Sequence, residues 1–347
     1  EIVSRDWSSD VCSSDLALNE RLPLLIDFNP DFGALQGLGR VAAGHRPGQV
    51  LGTAWTGRPV VDGGKVVRMA GARHKAATIA TTRSIEFLRR GDAALLADWY
   101  APRTARKVPA LVAVHGGGWR AGSRDFYRHL GPYLAARGVG LLAVDYRLIA
   151  AGKNVYPAAV HDVRAAVQYL RTNASRYRVD PDRLGLIGDS AGAHLALMTA
   201  LAGDMPHLAG EPGEAFAGVP THVKAAVGIY GIYDLLAQWQ YDQRCRPRMS
   251  GTEALIGASP VADRRPFQAA SPLTYATTLA KSTTVLLAWG MDDDVVDPLT
   301  QSVALRDALK QCECVVRTVT LPGFGHYWAS DPLDEPGSAS GLLAPRL

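Results

Sequence analysis

From about residue 84 onward, short continuous apolar runs recur along the chain, and stretches with apolar residues three and four apart lie between the later ones. The pattern predicts strands near 84–88, 94–100, 109–114, 140–145, 183–188, 224–230, 283–289 and 315–321. It predicts helices near 125–137, 158–173, 191–203 and 298–311. Strands alternating with helices of this length imply an α/β fold, a mostly parallel central sheet with helices on both faces. Ligands then bind beyond the carboxyl ends of the strands. Two regions fall outside the alternation. Residues 17–80 hold no sustained period and read as an N-terminal segment, a candidate small cap. Residues 234–271, polar and basic with Trp239, Tyr241, Met249 and Phe267, read in either of two ways: an insertion over the pocket that shapes an acyl or alcohol site, or a solvated loop with one packed turn.

The candidate chemistry sits where strand signals end. The run 109–114 delivers the chain into His115-Gly116-Gly117-Gly118-Trp119. Three successive glycines are costly in ordering entropy, but they let backbone N–H groups approach a ligand oxygen closely. The run 183–187 leads into Gly188-Asp189-Ser190-Ala191-Gly192, a G-x-S-x-G elbow followed by a helical stretch. A serine hydroxyl is a weak nucleophile at neutral pH and needs exposure at a sharp turn and a base within hydrogen-bond reach. Gly188 and Gly192 stand where a side chain would collide with the neighbouring strand or helix. The N–H groups of Gly117, Gly118 and Ala191 are candidate oxyanion-hole donors, each worth on the order of 3 kcal/mol to a transition state.

His326 follows Pro322-Gly323-Phe324-Gly325, a turn after the alternating stretch 314–321, and a histidine at a strand end can serve Ser190 as base and then as acid. The chain has nine histidines. His45, His74, His207 and His222 lie in polar or irregular stretches and read as solvated. His115 belongs to the glycine motif, while His129, His161 and His194 fall on predicted helices. A helix turn aims His194 away from the attack trajectory. Asp292, Asp293, Asp294 and Asp297 all follow the strand signal 283–289; Asp292 reads as solvated loop, and the acid is open between Asp293 and Asp294. Asp297, before Pro298, reads as a helix start.

In their order along the chain these motifs resemble the hormone-sensitive-lipase-like branch of the α/β-hydrolase fold, carboxylesterases with an HGGG oxyanion loop and a GDSAG elbow. The resemblance runs from about Thr82 to the C-terminus and includes Val144-Asp145-Tyr146-Arg147-Leu148 and Tyr156-Pro157-Ala158-Ala159. It implies a hydrolase domain over 81–347 that uses no metal or cofactor and acts on a small-molecule ester through an acyl-enzyme, with short acyl chains preferred. The G-x-x-D-x-x-V spacing of relatives falls on Gly290, Asp293 and Val296, so the resemblance makes Asp293 the triad acid beside Ser190 and His326, with Asp294 the fallback. Relatives with the HGGGW form also cleave acetyl or feruloyl groups from carbohydrate, or aryl formamides. A ligand-binding protein on a hydrolase fold commonly lacks the serine or histidine, and both are present here.

Composition narrows the picture further. Residues Asp6 to Leu16 back-translate, codon for codon, into a widely used sequencing-library adapter, so residues 1–16 read as an assembly artefact. The charged residues of that stretch, Glu1, Arg5, Asp6, Asp10 and Asp15, sum to −3, and the formal charge of +4 becomes +7 for the remainder. The basic residues are scattered, without the dense stripes and aromatic platforms of a nucleic-acid binder. No apolar run is long enough to span a bilayer. Cys245, Cys312 and Cys314 lack metal-ligand spacing, which favours a reduced or lightly oxidised protein and leans toward a cytoplasmic one. Cys312 and Cys314 are expected on a strand edge. Residues 338–347 begin a helix and stop without a cap or polar tail, as a truncated chain would.

Overall fold

The computed structural model describes residues 78–210, 215–248 and 251–347. The adapter-like stretch and the segment 17–77 lie outside them, as does Met249. The described chain opens with an antiparallel hairpin, β1 (Ile79–Arg90) and β2 (Ala93–Pro102), joined at Gly91-Asp92. It continues through β3 (Val108–Val114) and a 3₁₀ turn (Arg124–Tyr127) to α1 (Leu130–Ala135) and β4 (Gly140–Val144). Next come α2 (Ala158–Thr172), α3 (Ala174–Tyr177), β5 (Val179–Asp189), α4 (Ala191–Ala202) and β6 (Ala225–Ile229). Three short helices follow, α5 (Leu235–Cys245), α6 (Gly251–Ile256) and α7 (Arg265–Ala269). The chain closes with β7 (Thr284–Gly290), α8 (Ala304–Gln311), β8 (Val316–Leu321) and α9 (Ala339–Leu343).

The eight strands form one sheet in the order β1-β2-β4-β3-β5-β6-β7-β8, parallel from β4 to β8. All five residues of β4 and Leu184 to Asp189 of β5 are buried, without the in-out alternation of a half-exposed strand. Both faces of the sheet are therefore covered at its centre. The chain runs from β3 outward to β4, then returns across β3 to β5. Strand order thus reverses between β3 and β5, the place where α/β sheets open a ligand crevice. The glycine motif and Ser190 both follow strands at that reversal.

Two sequence expectations need correction. The helix expected over 125–137 is split, because Pro132 has no N–H to donate and is tolerated only in a first turn. α1 therefore begins at Leu130, and the preceding residues close as a separate 3₁₀ turn. Cys312 and Cys314 are not on a strand edge: Cys312 caps α8, and Glu313, at φ 58°, turns the chain before β8 begins at Val316. Both cysteines are free, with their Sγ atoms directed at the carbonyls of Ala276 and Thr277.

The segment 234–271 is structured rather than a plain loop. Asp234 caps α5 by accepting from the N–H groups of Leu236 and Ala237, and Phe267 and Leu255 are fully buried. α5 is tied to the loop after β7: Gln238 Nε2 donates to Val295 O at 3.0 Å and the Tyr241 hydroxyl to Asp294 O at 3.1 Å. Trp239 Nε1 donates to Glu253 Oε1 at 3.1 Å and joins α5 to α6. No helix among the described residues is long and apolar enough to cross a membrane.

Candidate active site

Parallel pairing brings the ends of five strands to one edge. Val114 pairs with Gly188, Asp189 with Ile229, Ile229 with Ala288, and Gly290 with Leu321. Ser190 leaves β5 at φ 50°, ψ −120°, strained values that throw its side chain out between sheet and helix. Its amide donates to Ile229 O at 2.8 Å, and its carbonyl accepts from His194 N–H at 3.1 Å, which fixes the turn from both sides. The two elbow glycines have steric causes. A Cβ on Gly188 would lie 2.2 Å from Gly192 O, and one on Gly192 would lie 2.0 Å from Val114 O. The start of α4 is thereby pressed against the point where β3 becomes the glycine loop.

Ser190, His326 and Asp293 are hydrogen-bonded in series. His326 Nε2 is 3.0 Å from Ser190 Oγ, and His326 Nδ1 is 2.7 Å from Asp293 Oδ2. The other carboxylate oxygen of Asp293 accepts from the N–H groups of Val295 and Val296, both at 2.9 Å. One oxygen holds the loop and the other faces the imidazole. Asp294 is exposed and meets Tyr241 through its backbone carbonyl, while Asp297 accepts from Leu299 and Thr300 N–H at the start of the π-helical turn (Leu299–Val303) that leads into α8. The side chains of His326 and Asp293 are 1% and 0% exposed, so their interaction is little weakened by solvent.

The imidazole is also held by groups that sequence reasoning missed. The Tyr230 ring lies 4.3 Å from it, and Tyr230 packs edge-on against Trp328. The Tyr230 hydroxyl accepts from Ala329 N–H at 2.9 Å, and Trp328 Nε1 donates to Gly325 O at 3.1 Å, so both ends of the histidine loop are pinned. These aromatics follow no helix or strand period, and only their place at strand ends could have drawn attention to them.

In the glycine loop, Gly117 has φ +113° and no room for a Cβ, which would meet Ala121 O at 2.2 Å. The Gly116 amide is occupied by Asp189 Oδ1 at 2.9 Å. Trp119 is buried at φ 61°, and its Nε1 donates to His194 Nδ1 at 3.1 Å. That contact makes Nδ1 the acceptor, so His194 Nε2 carries the proton and donates to Ala270 O at 2.7 Å. His194 is turned away from Ser190, as expected, and links the glycine loop to the end of segment 234–271. His207 is exposed, as expected, with its Nε2 2.8 Å from the Tyr275 hydroxyl and its ring stacked there.

Burial pushes the His194 imidazole down to about 4. An unfolded chain takes up this proton near pH 6.5 and the native state does not, so the contribution of His194 is complete above 6.5 and is lost as pH falls toward 4. Equilibrium unfolding should lose about 3 kcal/mol over that window relative to His194→Gln, which has no such proton. Parallel pH dependences for the two proteins would refute this.

No group of three or more histidine, cysteine, aspartate or glutamate side chains among the described residues could hold a metal ion. A parallel sheet with a serine elbow at its strand reversal, and histidine and aspartate on the loops after the last two strands, defines an α/β-hydrolase. The chain belongs to the BD-FAE family, whose model matches residues 97–309. It is similar to Esterase LipQ of Mycobacterium tuberculosis, 33% identical over 71% of this chain and 57% of that protein. It is also similar to Esterase LipC of the same organism, 32% identical over 64% and 53%. The chain spans about half the length of the curated relatives it matches. Among solved structures, a thermophilic esterase from Thermogutta terrifontis superposes with a TM-score of 0.61 at 21% identity, covering 79% of this chain and 90% of that one. A truncated carbohydrate esterase from gut microbiota does so with a TM-score of 0.61 at 21% identity, over 72% and 90%. At such identities the superpositions establish the fold.

Proposed function

We propose that this protein is a serine carboxylic-ester hydrolase. The observation that carries the reading is the hydrogen-bonded series from Ser190 Oγ through His326 to Asp293 at the sheet's carboxyl edge. In the first half-reaction Ser190 Oγ attacks the ester carbonyl carbon while His326 Nε2 takes its proton. Asp293 keeps the proton of the resting imidazole on Nδ1 and stabilises the imidazolium. The tetrahedral oxyanion is met by the N–H groups of Gly117, Gly118 and Ala191, a choice supported by the commitment of the Gly116 amide to Asp189. The C–O bond to the alcohol breaks, the alcohol leaves with the proton from His326, and water hydrolyses the acyl-enzyme by the same steps. This chemistry needs no metal or cofactor.

Short acyl chains are the substrates this reading favours. The Thermogutta esterase has been solved with propionate and with butyrate bound, and the curated relatives carry esterase names. A carbohydrate acetyl-esterase is the second reading, favoured by structural neighbours described as a carbohydrate esterase and as an acetyl ester-xyloside bifunctional hydrolase. Hydrolysis of p-nitrophenyl esters from acetate to decanoate, beside acetylated xylan and a feruloyl ester, separates the two. A protein that cleaves none of these is not the proposed enzyme.

Segment 234–271 is read as the cap that shapes the acyl site, because it is tied to the loop of Asp293 and, through His194, to Trp119. Trp239→Ala should change the ratio of hexanoate to acetate hydrolysis by about 1–3 kcal/mol while the acetate rate changes modestly. An unchanged chain-length profile in a folded variant would assign the segment a purely structural role.

A further inference from the structure

Asp189 precedes the nucleophile, and its carboxyl is buried behind the glycine loop. Its Oδ1 accepts from Gly116 N–H at 2.9 Å, and the Tyr127 hydroxyl oxygen lies 3.0 Å from that same Oδ1. The Tyr127 hydroxyl is equally 3.0 Å from Val114 O. A phenol has one proton to donate. If Asp189 were ionised, Tyr127 would face two acceptors with that single proton, and one of the two contacts would set bare lone pairs against each other. A protonated carboxyl resolves the conflict: its O–H donates to Tyr127, Tyr127 donates to Val114 O, and the Gly116 amide donates to the remaining lone pair of Oδ1.

The surroundings point the same way. Tyr127 faces Asp189 from the 3₁₀ turn, Tyr146 from the loop after β4 and Tyr230 from the end of β6. Tyr146 in turn donates to His115 O and stacks on the His115 ring. His115 is itself driven toward its neutral form by burial. Burial pushes the Asp189 carboxyl up to about 7, opposed by hydrogen bonds from Tyr127 and from the amides of Gly116 and Asp189, and no cation is among the opposing groups.

We propose that Asp189 is a positioning residue that works as a neutral carboxylic acid: its proton completes the chain Asp189–Tyr127–Val114 that sets the glycine loop on the nucleophile elbow, and its ionisation switches the site off. Ionisation breaks one link of that chain and puts a buried negative charge directly behind the amides that would meet a developing oxyanion. The inference rests on the esterase reading of that loop.

The test is the pH dependence of kcat for a short p-nitrophenyl ester, corrected for spontaneous hydrolysis, in the parent and in Asp189→Asn. Asparagine keeps the shape and cannot ionise. The parent should fall by roughly tenfold or more on an alkaline limb above pH 7, while Asp189→Asn stays flat there. Tyr127→Phe removes a donor to the ionised carboxylate and should move the limb to higher pH. A second arm is independent of turnover: as pH rises from about 4 to 8, the melting temperature of the parent should fall relative to that of Asp189→Asn, because the unfolded carboxyl has already ionised and the native one has not. An alkaline limb shared by both proteins, or a constant difference in melting temperature, overturns the proposal. If the parent cleaves no ester, the esterase reading fails, and the melting arm still decides the state of Asp189.

Discussion

Replacing Ser190 by alanine should lower ester turnover on the order of 10⁶-fold, because members of such a triad act as a unit and the loss of one forfeits nearly the whole contribution. What remains should be only the small fraction an oxyanion hole and binding supply without a nucleophile. Folding should be preserved. The Ser190 hydroxyl does not cap α4, and the turn is fixed by backbone bonds to Ile229 and His194 that alanine retains. Initial rates with p-nitrophenyl acetate, with thermal unfolding as control, check both points. Residual turnover above roughly a thousandth of the parent rate would require another nucleophile.

Asp293→Asn is expected to cost about 10⁴-fold in kcat, and Asp294→Asn little. The carboxylate of Asp293 divides its work, Oδ1 on the amides of Val295 and Val296 and Oδ2 on His326 Nδ1. An asparagine keeps its oxygen on the two amides and so turns its NH₂ toward the imidazole. His326 must then accept at Nδ1 and carry its proton on Nε2, where it confronts Ser190 with a donor instead of a base. Asp294 is exposed and meets Tyr241 through its backbone carbonyl, which asparagine also has. Steady-state kinetics on the two variants rank them, and the reverse ranking would reassign the acid.

Much of the site was legible because its rules are local. The elbow and the glycine run declare themselves through close approach over a few residues, and each follows an apolar run of strand length. The choice between Asp293 and Asp294 was legible through the family resemblance and not through the residue pattern. It depends on which side chain the loop turns inward, and the paired amides of Val295 and Val296 make that selection. Strand order was likewise hidden, since the reversal between β3 and β5 is a matter of pairing between distant segments. The roles of Tyr127 and Tyr230 escaped for the same reason. Their partners lie dozens of residues away, at Asp189 and His326, and membership of a helix or strand signal does not reveal them. The break before α1, by contrast, was written in Pro132 and could have been read.

The covalent intermediate offers the most direct test. On mixing with p-nitrophenyl acetate, the protein should release a burst of nitrophenolate equal to its active sites whenever deacylation is the slower half-reaction. Acid quenching followed by mass spectrometry of the digested protein should find one acetyl group, carried on the peptide that contains Ser190. Continued turnover with Ser190 unmodified, or an acetyl group mapped to a different residue, would contradict the account.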